Sequence, residues 1–531
     1  MIERAIENWL TSTNERGYEI PFCQYLISEG YTILGISFHG QVEQGKDIIA
    51  LNKNGTPCAF QLKSGNINQR VWNNIKSEID DLLEMPIKHP KVDKQSKREC
   101  FLVTNGIIND KLKKDIVDRN VGLRKRKLPD LKIYDGPELL SKFIRVNGTF
   151  LPTKPPDLKV FLELLMSDGH ELPDKRLLSR FLESVLFTKR ETEPQLRRKI
   201  ASSILLNQYV MEPYESQKNH IALIEGWVIL YSLVLGVVEK FQLAERNWAQ
   251  SLKIVLDKIN YQLSALKEEF FSRTDYLEGT WDGALFYKSR LTTVIGWLAA
   301  FELCMKSTDA NYTIDRRVYD SVKKFYGSET WFWGESATPL FIMMSKLAIA
   351  FGDTFLSNKI ICDLIIDIVF KNGLQEESAL PAPYYSVKQI INHFYGPTDE
   401  KMDLSSFSGE SYHLAVLVDI LVRRNRRDLL NEVWKGLTNI YNSEFMPKPS
   451  WAILRWQCDE GESMGFPFKK PQSWKELQKD AWDMNNLDLP KSLANPFCYY
   501  FLVCYPHRLN RHTGKLLDSL LNKKVLATKL Q

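Results

Sequence analysis

The sequence predicts an α/β domain at the N-terminus followed by a large, mostly α-helical region, and three observations indicate this. Residues 15–146 alternate short β-like runs with longer helical stretches, as in a central mixed sheet flanked by helices. The segment Leu151–Pro156 contains three prolines and interrupts regular structure. From residue 158 onward, apolar residues recur at three- and four-residue spacing in nearly every window, which is typical of packed helices.

The elements of the α/β domain follow from the period of the apolar residues and from the turns between them. The predicted domains are an α/β domain over residues 1–150, a Pro-rich linker over 151–157 and a helical domain over 158–531. The predicted strands of the first domain are Thr32–Phe38, Asp47–Asn52, Pro57–Lys63, Cys100–Thr104 and Leu131–Tyr134. Its predicted helices include Val71–Met85 and Asp110–Asn120.

Charge is spread unevenly along the chain. The 531 residues carry a formal charge of +5, and residues 1–150 hold 23 Lys and Arg against 19 Asp and Glu, which is +4 of it. This excess favours a polyanionic partner for the first domain. The densest basic run is Arg124, Lys125, Arg126 and Lys127. It is either a solvated loop before a strand or a set of phosphate contacts without sequence information.

Several features bear on the compartment of the protein. Its eight cysteines are scattered without Cys-x-x-Cys spacing, which predicts reduced, buried thiols and no structural zinc. Met1–Thr11 is charged and amphipathic, unlike a secretory leader. The apolar run Ile221–Val238 contains Glu225 and two glycines, so we expect a buried helix and no membrane partner. Together these features predict a cytoplasmic protein.

A predicted β-hairpin carries the most informative side chains. Gln61 and Lys63 are two residues apart on one strand and therefore share a face. A two-residue turn would pair Asp47 with Leu62, on the other face, whereas a three-residue loop with Gly55 in the left-handed region pairs Asp47 with Gln61. We expect the three-residue loop, which gathers an acid, an amide oxygen and an ammonium.

This constellation resembles the PD-(D/E)XK nuclease superfamily, and in detail its Mrr-like restriction endonuclease branch. The motif of that branch is an acid on one strand and Glu or Gln, any residue, then Lys on the next, which here are Asp47, Gln61 and Lys63. The resemblance covers roughly residues 15–146 and implies a restriction-endonuclease-like fold. Four flanking segments stand in the family's order: Tyr18-Glu19 opening a helix, Gly30-Tyr31 ending it, Phe101–Gly106 and Ile133–Leu140.

The resemblance also implies a role for each residue of the motif. Asp47 would bind Mg²⁺, with Mn²⁺ able to replace it, and Gln61 would complete the site through its carbonyl oxygen. Lys63 would orient or activate the attacking water and offset developing charge. Glu19 would bind the metal directly or through water. Gln61 stands where Glu is usual in the superfamily, so Asp47 and Glu19 must supply most of the negative charge.

The function that follows is a metal-dependent endodeoxyribonuclease, with DNA favoured over RNA, acting in prokaryotic restriction or anti-phage defence. We expect the helical domain to gate the site by forming a homodimer or higher oligomer, or by binding a trigger ligand or a partner defence protein. Three alternatives remain at this point. Asp47 and Lys63 could form an ordinary cross-strand ion pair, the nuclease fold could be an inactive nucleic-acid-binding or scaffold protein, or the helical region could be an interaction module.

Overall fold

A computed structural model of the chain describes residues 2–36, 46–93, 96–147, 155–187, 192–272, 283–374, 379–396, 401–404, 407–468, 473–483 and 487–521. The chain forms two compact units, Met1–Lys258 and Ile259–Gln531. The first contains a five-stranded mixed sheet and the second is mostly helical, which confirms the predicted fold class at this level.

The first unit combines this sheet with helices on both of its faces and with a further group of helices. The sheet and its flanking helices comprise α1 Ile2–Ser12, α2 Glu15–Ser28, β1 Thr32–Ile36, β2 Ile48–Leu51, β3 Pro57–Lys63, α3 Gln69–Glu84, β4 Glu99–Thr104, α4 Asp110–Lys125, β5 Leu131–Tyr134 and α5 Gly136–Asn147. The further helices are α6 Pro155–Leu165, α7 Lys175–Leu186, α8 Glu193–Ser216, α9 His220–Phe241 and the first part of α10 Ala249–Ser272.

The sheet has the strand order β1-β2-β3-β4-β5. The strands β1, β2 and β3 pair antiparallel, whereas β4 and β5 continue from β3 in parallel. Each predicted strand therefore lies in the sheet, close to its expected bounds. For the first of them, the predicted residues 37 and 38 lie outside the described residues.

The alternation of side chains along β3 separates the two faces of the sheet. Ala59 belongs to a core that also contains Ile75 and Ile79 of α3 and residues of α4. Phe60 points to the other face, where its ring lies 5.3 Å from that of Phe22 on α2. Odd-numbered residues of β3 therefore face α3, and even-numbered residues face α2.

The helices α6–α9 belong to the same compact unit as the sheet, because α8 packs against α2 and α5. Trp9 of α1 donates from Nε1 to Glu212 at 3.3 Å, and its ring lies 4.4 Å from that of Tyr209. The predicted domain boundary at 151–157 is thus not where the compact units divide. Residues 155–157 of the predicted linker begin α6, and residues 151–154 lie outside the described part.

The long apolar helix α9 packs against α7 and α8. Among the described residues it alone is long and apolar enough to cross a bilayer, and 94% of its most apolar window is buried inside the protein. Glu225 accepts a hydrogen bond from Lys175 at 2.5 Å. A packed helix with a paired internal charge agrees with the expectation from the sequence, while the absence of a membrane partner stays a prediction.

All eight cysteines lie in the described part of the chain and are free, and six of them are buried.

The second unit is mostly helical but also contains a small sheet that the sequence analysis missed. The remaining elements are α11 Gly283–Thr308, α12 Arg316–Phe325, α13 Thr338–Ala350, α14 Thr354–Leu374, α15 Val387–Tyr395, β6 Glu410–Ser411, α16 Leu414–Arg423, α17 Arg427–Leu437, β7 Tyr441–Pro447, β8 Gly461–Pro467, α18 Trp474–Trp482, α19 Cys498–Cys504 and α20 Arg511–Leu521.

Candidate active site

The β2–β3 hairpin has the register that the sequence analysis expected. Ile48 pairs with Phe60, and Asn52 donates its N–H to the carbonyl of Thr56 at 2.9 Å. Gly55 has a φ of +79°, the left-handed conformation that a three-residue loop of this kind requires. The three-residue loop is therefore confirmed, and it places Asp47 opposite Gln61.

Asp47 is hydrogen-bonded to the backbone of β3 through both its main chain and its side chain. Its N–H donates to the carbonyl of Phe60 at 2.9 Å, and its Oδ2 accepts the N–H of Leu62 at 2.5 Å. Directly opposed residues of an antiparallel pair lie on the same face. Asp47, Gln61 and Lys63 therefore share the face that α3 covers.

Gln61 is buried, with 4% of its surface exposed. Its Nε2 lies 3.5 Å from Oε2 of Glu78 on α3, which turns the carbonyl oxygen away from that carboxylate. Among the described residues, Oε1 of Gln61 has no hydrogen-bond partner. A buried acceptor without a partner costs about 1–3 kcal/mol, so this oxygen is a place where a ligand would stabilise the protein.

Lys63 lies between carboxylates from two helices. Its Nζ is 2.7 Å from Oε2 of Glu78 on α3 and 3.9 Å from Oε1 of Glu15 on α2. Burial lowers the pKa of Lys63, but the hydrogen bond to Glu78 and the charges of Glu15, Glu78 and Asp47 outweigh burial, and the net pKa is raised. The side chain is consequently an ammonium at neutral pH.

The pair Tyr18-Glu19 lies within α2, where Tyr18 connects the helix to the sheet. Its hydroxyl donates to the carbonyl of Lys63 at 2.7 Å and lies 3.3 Å from that of Val103. Burial and then the charge of Glu15 raise the pKa of Tyr18 well above its usual value, and Asp47 and Glu19 add to this effect. Glu19 follows Tyr18 on α2, and its role as a metal ligand stays a prediction.

The loop after β4 fixes the start of α2 relative to the sheet. Asn105 donates from Nδ2 to the carbonyls of Leu10 and Thr13, at 2.7 and 2.8 Å, and accepts the N–H of Gly65 at 2.7 Å. One side chain thus joins the α1–α2 junction to the loop that follows Lys63. A Cβ added at the next residue, Gly106, would lie 2.1 Å from the backbone carbonyl carbon of Gly65, so both residues of this Asn-Gly pair have a structural role.

Two acids of the site were missed by the sequence analysis, Glu15 and Glu78. Glu15 is four residues before Glu19 on α2 and also accepts the N–H of Ser64 at 3.2 Å. Helical i, i+4 spacing could have indicated Glu15, whereas the α3 sequence gives no comparable signal for Glu78. Glu15, Asp47 and Glu78 surround one ammonium, so this group has a net charge of −2.

The donors around Lys63 are carboxylates and an amide, the ligands that hard divalent cations prefer. Within the described ranges, no three or more His, Cys, Asp and Glu side chains already converge as a metal site. The orphaned oxygen of Gln61 and the surplus of negative charge nevertheless fit a divalent cation. Its ligands would be Asp47 and Gln61, with Glu19 on the adjacent helix.

The basic run at the end of α4 is exposed, and its two arginines form surface ion pairs. Arg124 pairs with Asp130 at 2.8 Å and Arg126 pairs with Glu84 at 3.1 Å. Lys125 ends α4 and Lys127 has a φ of 60° in the turn that follows. Contact of Arg124, Lys125, Arg126 and Lys127 with phosphate stays a prediction.

The chain was compared with models of protein families, with curated proteins and with solved structures. Nothing matches. Function is therefore inferred from the geometry of the β2–β3 hairpin and from the motif that it carries.

Proposed function

We propose that the chain is a divalent-cation-dependent endonuclease whose active site is the β2–β3 hairpin. The carbonyl oxygen of Gln61 carries this proposal: it is buried, it lacks a partner among the described residues, and it lies in the motif position of a metal ligand. The neighbouring carboxylates outnumber the ammonium of Lys63. A phosphodiester would be repelled by this charge unless a cation bound first.

The residues divide the work of phosphodiester cleavage as follows. Asp47 and Gln61, with Glu19, would hold Mg²⁺ or Mn²⁺. Such a cation, when bound, polarises the phosphodiester and lowers the pKa of a bound water. Lys63 would orient or activate the attacking water and offset developing charge on the phosphate.

The proposed substrate and biological role are inferred from the resemblance to the PD-(D/E)XK nucleases. DNA is the proposed substrate in preference to RNA, and restriction or anti-phage defence is the proposed role. The helical region would gate the nuclease by assembling a homodimer or higher oligomer, or by binding a trigger ligand or a partner protein. The cytoplasm is the proposed compartment.

Nicking of supercoiled plasmid DNA by the full chain tests the proposal, with Mg²⁺, with Mn²⁺ and with EDTA. We expect cleavage with either cation and none with EDTA. Lys63→Ala and Asp47→Asn should each lower the rate by about 10²–10³-fold, the loss seen when one transition-state contact is removed. Circular dichroism should show that both variants remain folded.

Two surface substitutions serve as controls for the loss of cleavage activity. Lys132 pairs with Glu99 at 2.7 Å, and Arg145 pairs with Glu29 at 2.7 Å. Lys132→Ala and Glu29→Gln should cleave like the wild type. Cation-dependent DNA binding without cleavage would favour an inactive nuclease fold. Cleavage by Lys63→Ala at the wild-type rate would show that the active site does not lie in the hairpin.

A further inference from the structure

Glu78 of α3 contacts both polar members of the β3 motif. Its Oε2 lies 2.7 Å from Nζ of Lys63 and 3.5 Å from Nε2 of Gln61. The carboxylate thus reaches the place beside the motif lysine from a helix rather than from the strand. Neither the motif nor the spacing of the sequence assigns it a function.

The charge of the strand motif explains what Glu78 could supply. With Gln61, β3 offers the cation a neutral amide oxygen, and affinity for a hard divalent cation rises with the number of charged ligands. Asp47 alone of the hairpin residues in this group carries a negative charge. A second carboxylate beside Gln61 and Lys63 would restore the charge that the amide lacks.

We propose that Glu78 is a cation ligand of this site, replacing the carboxylate that β3 lacks. This inference rests on the proposed function and assigns a further residue to the same site. The Glu78 side chain is 45% exposed, so it can turn from Lys63 to the cation without disturbing the core. Gln61 is 4% exposed and contributes its carbonyl oxygen, which has no hydrogen-bond partner among the described residues.

When Glu78 turns from Lys63 to the cation, Lys63 still has a counter-ion. Glu15 lies 3.9 Å from its Nζ and also accepts the N–H of Ser64, so it stays beside the ammonium when Glu78 leaves. Lys63 then presents free donors to a phosphate oxygen. Cation binding and exposure of the ammonium are coupled in this scheme, because one carboxylate serves both.

The simplest competing explanation is that Glu78 is only the counter-ion of Lys63. In that case its removal would change the environment of the ammonium but not the affinity for a cation. Moving the carboxylate back to the strand separates the two explanations. Gln61→Glu in a Glu78→Gln background restores a cation ligand of the same charge while leaving α3 without its carboxylate.

The experiment is calorimetric titration of Mn²⁺ into the full chain. The variants are Asp47→Asn, Glu78→Gln, Glu84→Gln and the double variant Glu78→Gln with Gln61→Glu. Glu84→Gln is the matched control, because Glu84 ends the same helix and pairs with Arg126 at 3.1 Å. Each single variant removes one negative charge, and glutamine preserves the shape of the side chain.

We expect Glu78→Gln to weaken Mn²⁺ binding by at least about tenfold, as for loss of a ligand or of its support. Glu84→Gln should stay within about twofold, because exposed charges are screened. The double variant should regain most of the lost affinity. Wild-type affinity in Glu78→Gln, or failure of the double variant to recover, would overturn the assignment of Glu78.

The Asp47→Asn arm separates this inference from the proposed function. If Asp47→Asn loses Mn²⁺ while Glu78→Gln does not, the cation site stands and the role of Glu78 is rejected. If Asp47→Asn binds Mn²⁺ like the wild type, the cation is not at the hairpin, and both proposals fail.

Discussion

Two groups of charged side chains, one in each compact unit, are built in opposite ways. In the first unit, Lys63 lies among three carboxylates, and its partners Glu15 and Glu78 are 44% and 45% exposed. In the second unit, Lys346 and Arg423 are 3% and 5% exposed, and both bond to Asp518. The first group is anionic with half-exposed carboxylates, whereas the second has two buried cations around one carboxylate that is 25% exposed.

The difference separates a group that stabilises the fold from one that can bind a ligand. Buried cations need their carboxylate partners, because an unpaired charge in the interior is costly. The second group joins three helices, since Lys346 lies on α13, Arg423 on α16 and Asp518 on α20. Half-exposed ion pairs contribute little to stability, so Glu15 and Glu78 can exchange partners at little cost to the fold.

Truncation tests whether the first group belongs to a unit that extends to Lys258, and it should have the largest effect. A fragment of residues 1–150 would expose Trp9, which is 7% exposed in the full chain and packs on Tyr209 and Glu212 of α8. We expect this fragment to lack a cooperative unfolding transition, and a fragment of residues 1–272 to retain one. A cooperative transition in residues 1–150 would show that the sheet folds without α6–α9.

Asp518→Ala should have the next largest effect, on the second unit. It removes the carboxylate that Lys346 and Arg423 share, which for buried ion pairs costs about 3–5 kcal/mol. Lys63→Ala should cost less than about 1 kcal/mol. Urea unfolding of the full chain measures both. Equal losses in the two variants would contradict the distinction between the groups.

The smallest expected effect is a pH dependence that distinguishes Lys46 from Lys63. Burial lowers the pKa of Lys46 to about 8, and its Nζ donates to the carbonyl of Asp81 at 3.3 Å. Between about pH 8 and 10.5 the unfolded chain holds this proton and the native chain does not, so the contribution of Lys46 to the free energy of unfolding should rise with pH. Lys63 has a raised pKa, and its contribution is lost only above that window.

Urea unfolding of the wild type and of Lys46→Met at intervals from pH 7.5 to 10 measures this contribution as the difference between the two pH slopes, at most about 1.4 kcal/mol per pH unit. Lys63→Ala should have the slope of the wild type in this window. An unchanged slope in Lys46→Met would mean that Lys46 titrates normally in the folded protein.

The hairpin could be predicted from the sequence because its determinants are local. Gly55 sets the loop and therefore the register, and strand alternation then places Asp47, Gln61 and Lys63 on one face. The bounds of Pro57–Lys63 and Leu131–Tyr134 were correct to the residue, because turn residues flank both. Local rules also identified the helical character of the second unit.

Other features depend on contacts between residues that are far apart in the sequence or on pairing between strands. Glu78 resembles any solvated residue of an amphipathic helix, and only the packing of α3 brings it to Lys63. The small sheet was missed because β7 and β8 are polar or glycine-containing and are stabilised by pairing with each other. The prolines at 155 and 156 were assigned to a linker, although proline is favoured in the first turn of a helix, where both lie.

Anomalous diffraction from crystals of the full chain soaked in Mn²⁺ would locate the bound cation. We expect one strong peak at coordination distance, about 2.0–2.3 Å, from Oε1 of Gln61 and from a carboxylate oxygen of Asp47, with Glu78 turned toward it. A Mn²⁺ peak elsewhere, or an empty hairpin at saturating Mn²⁺, would contradict the assignment of this hairpin as the cation site.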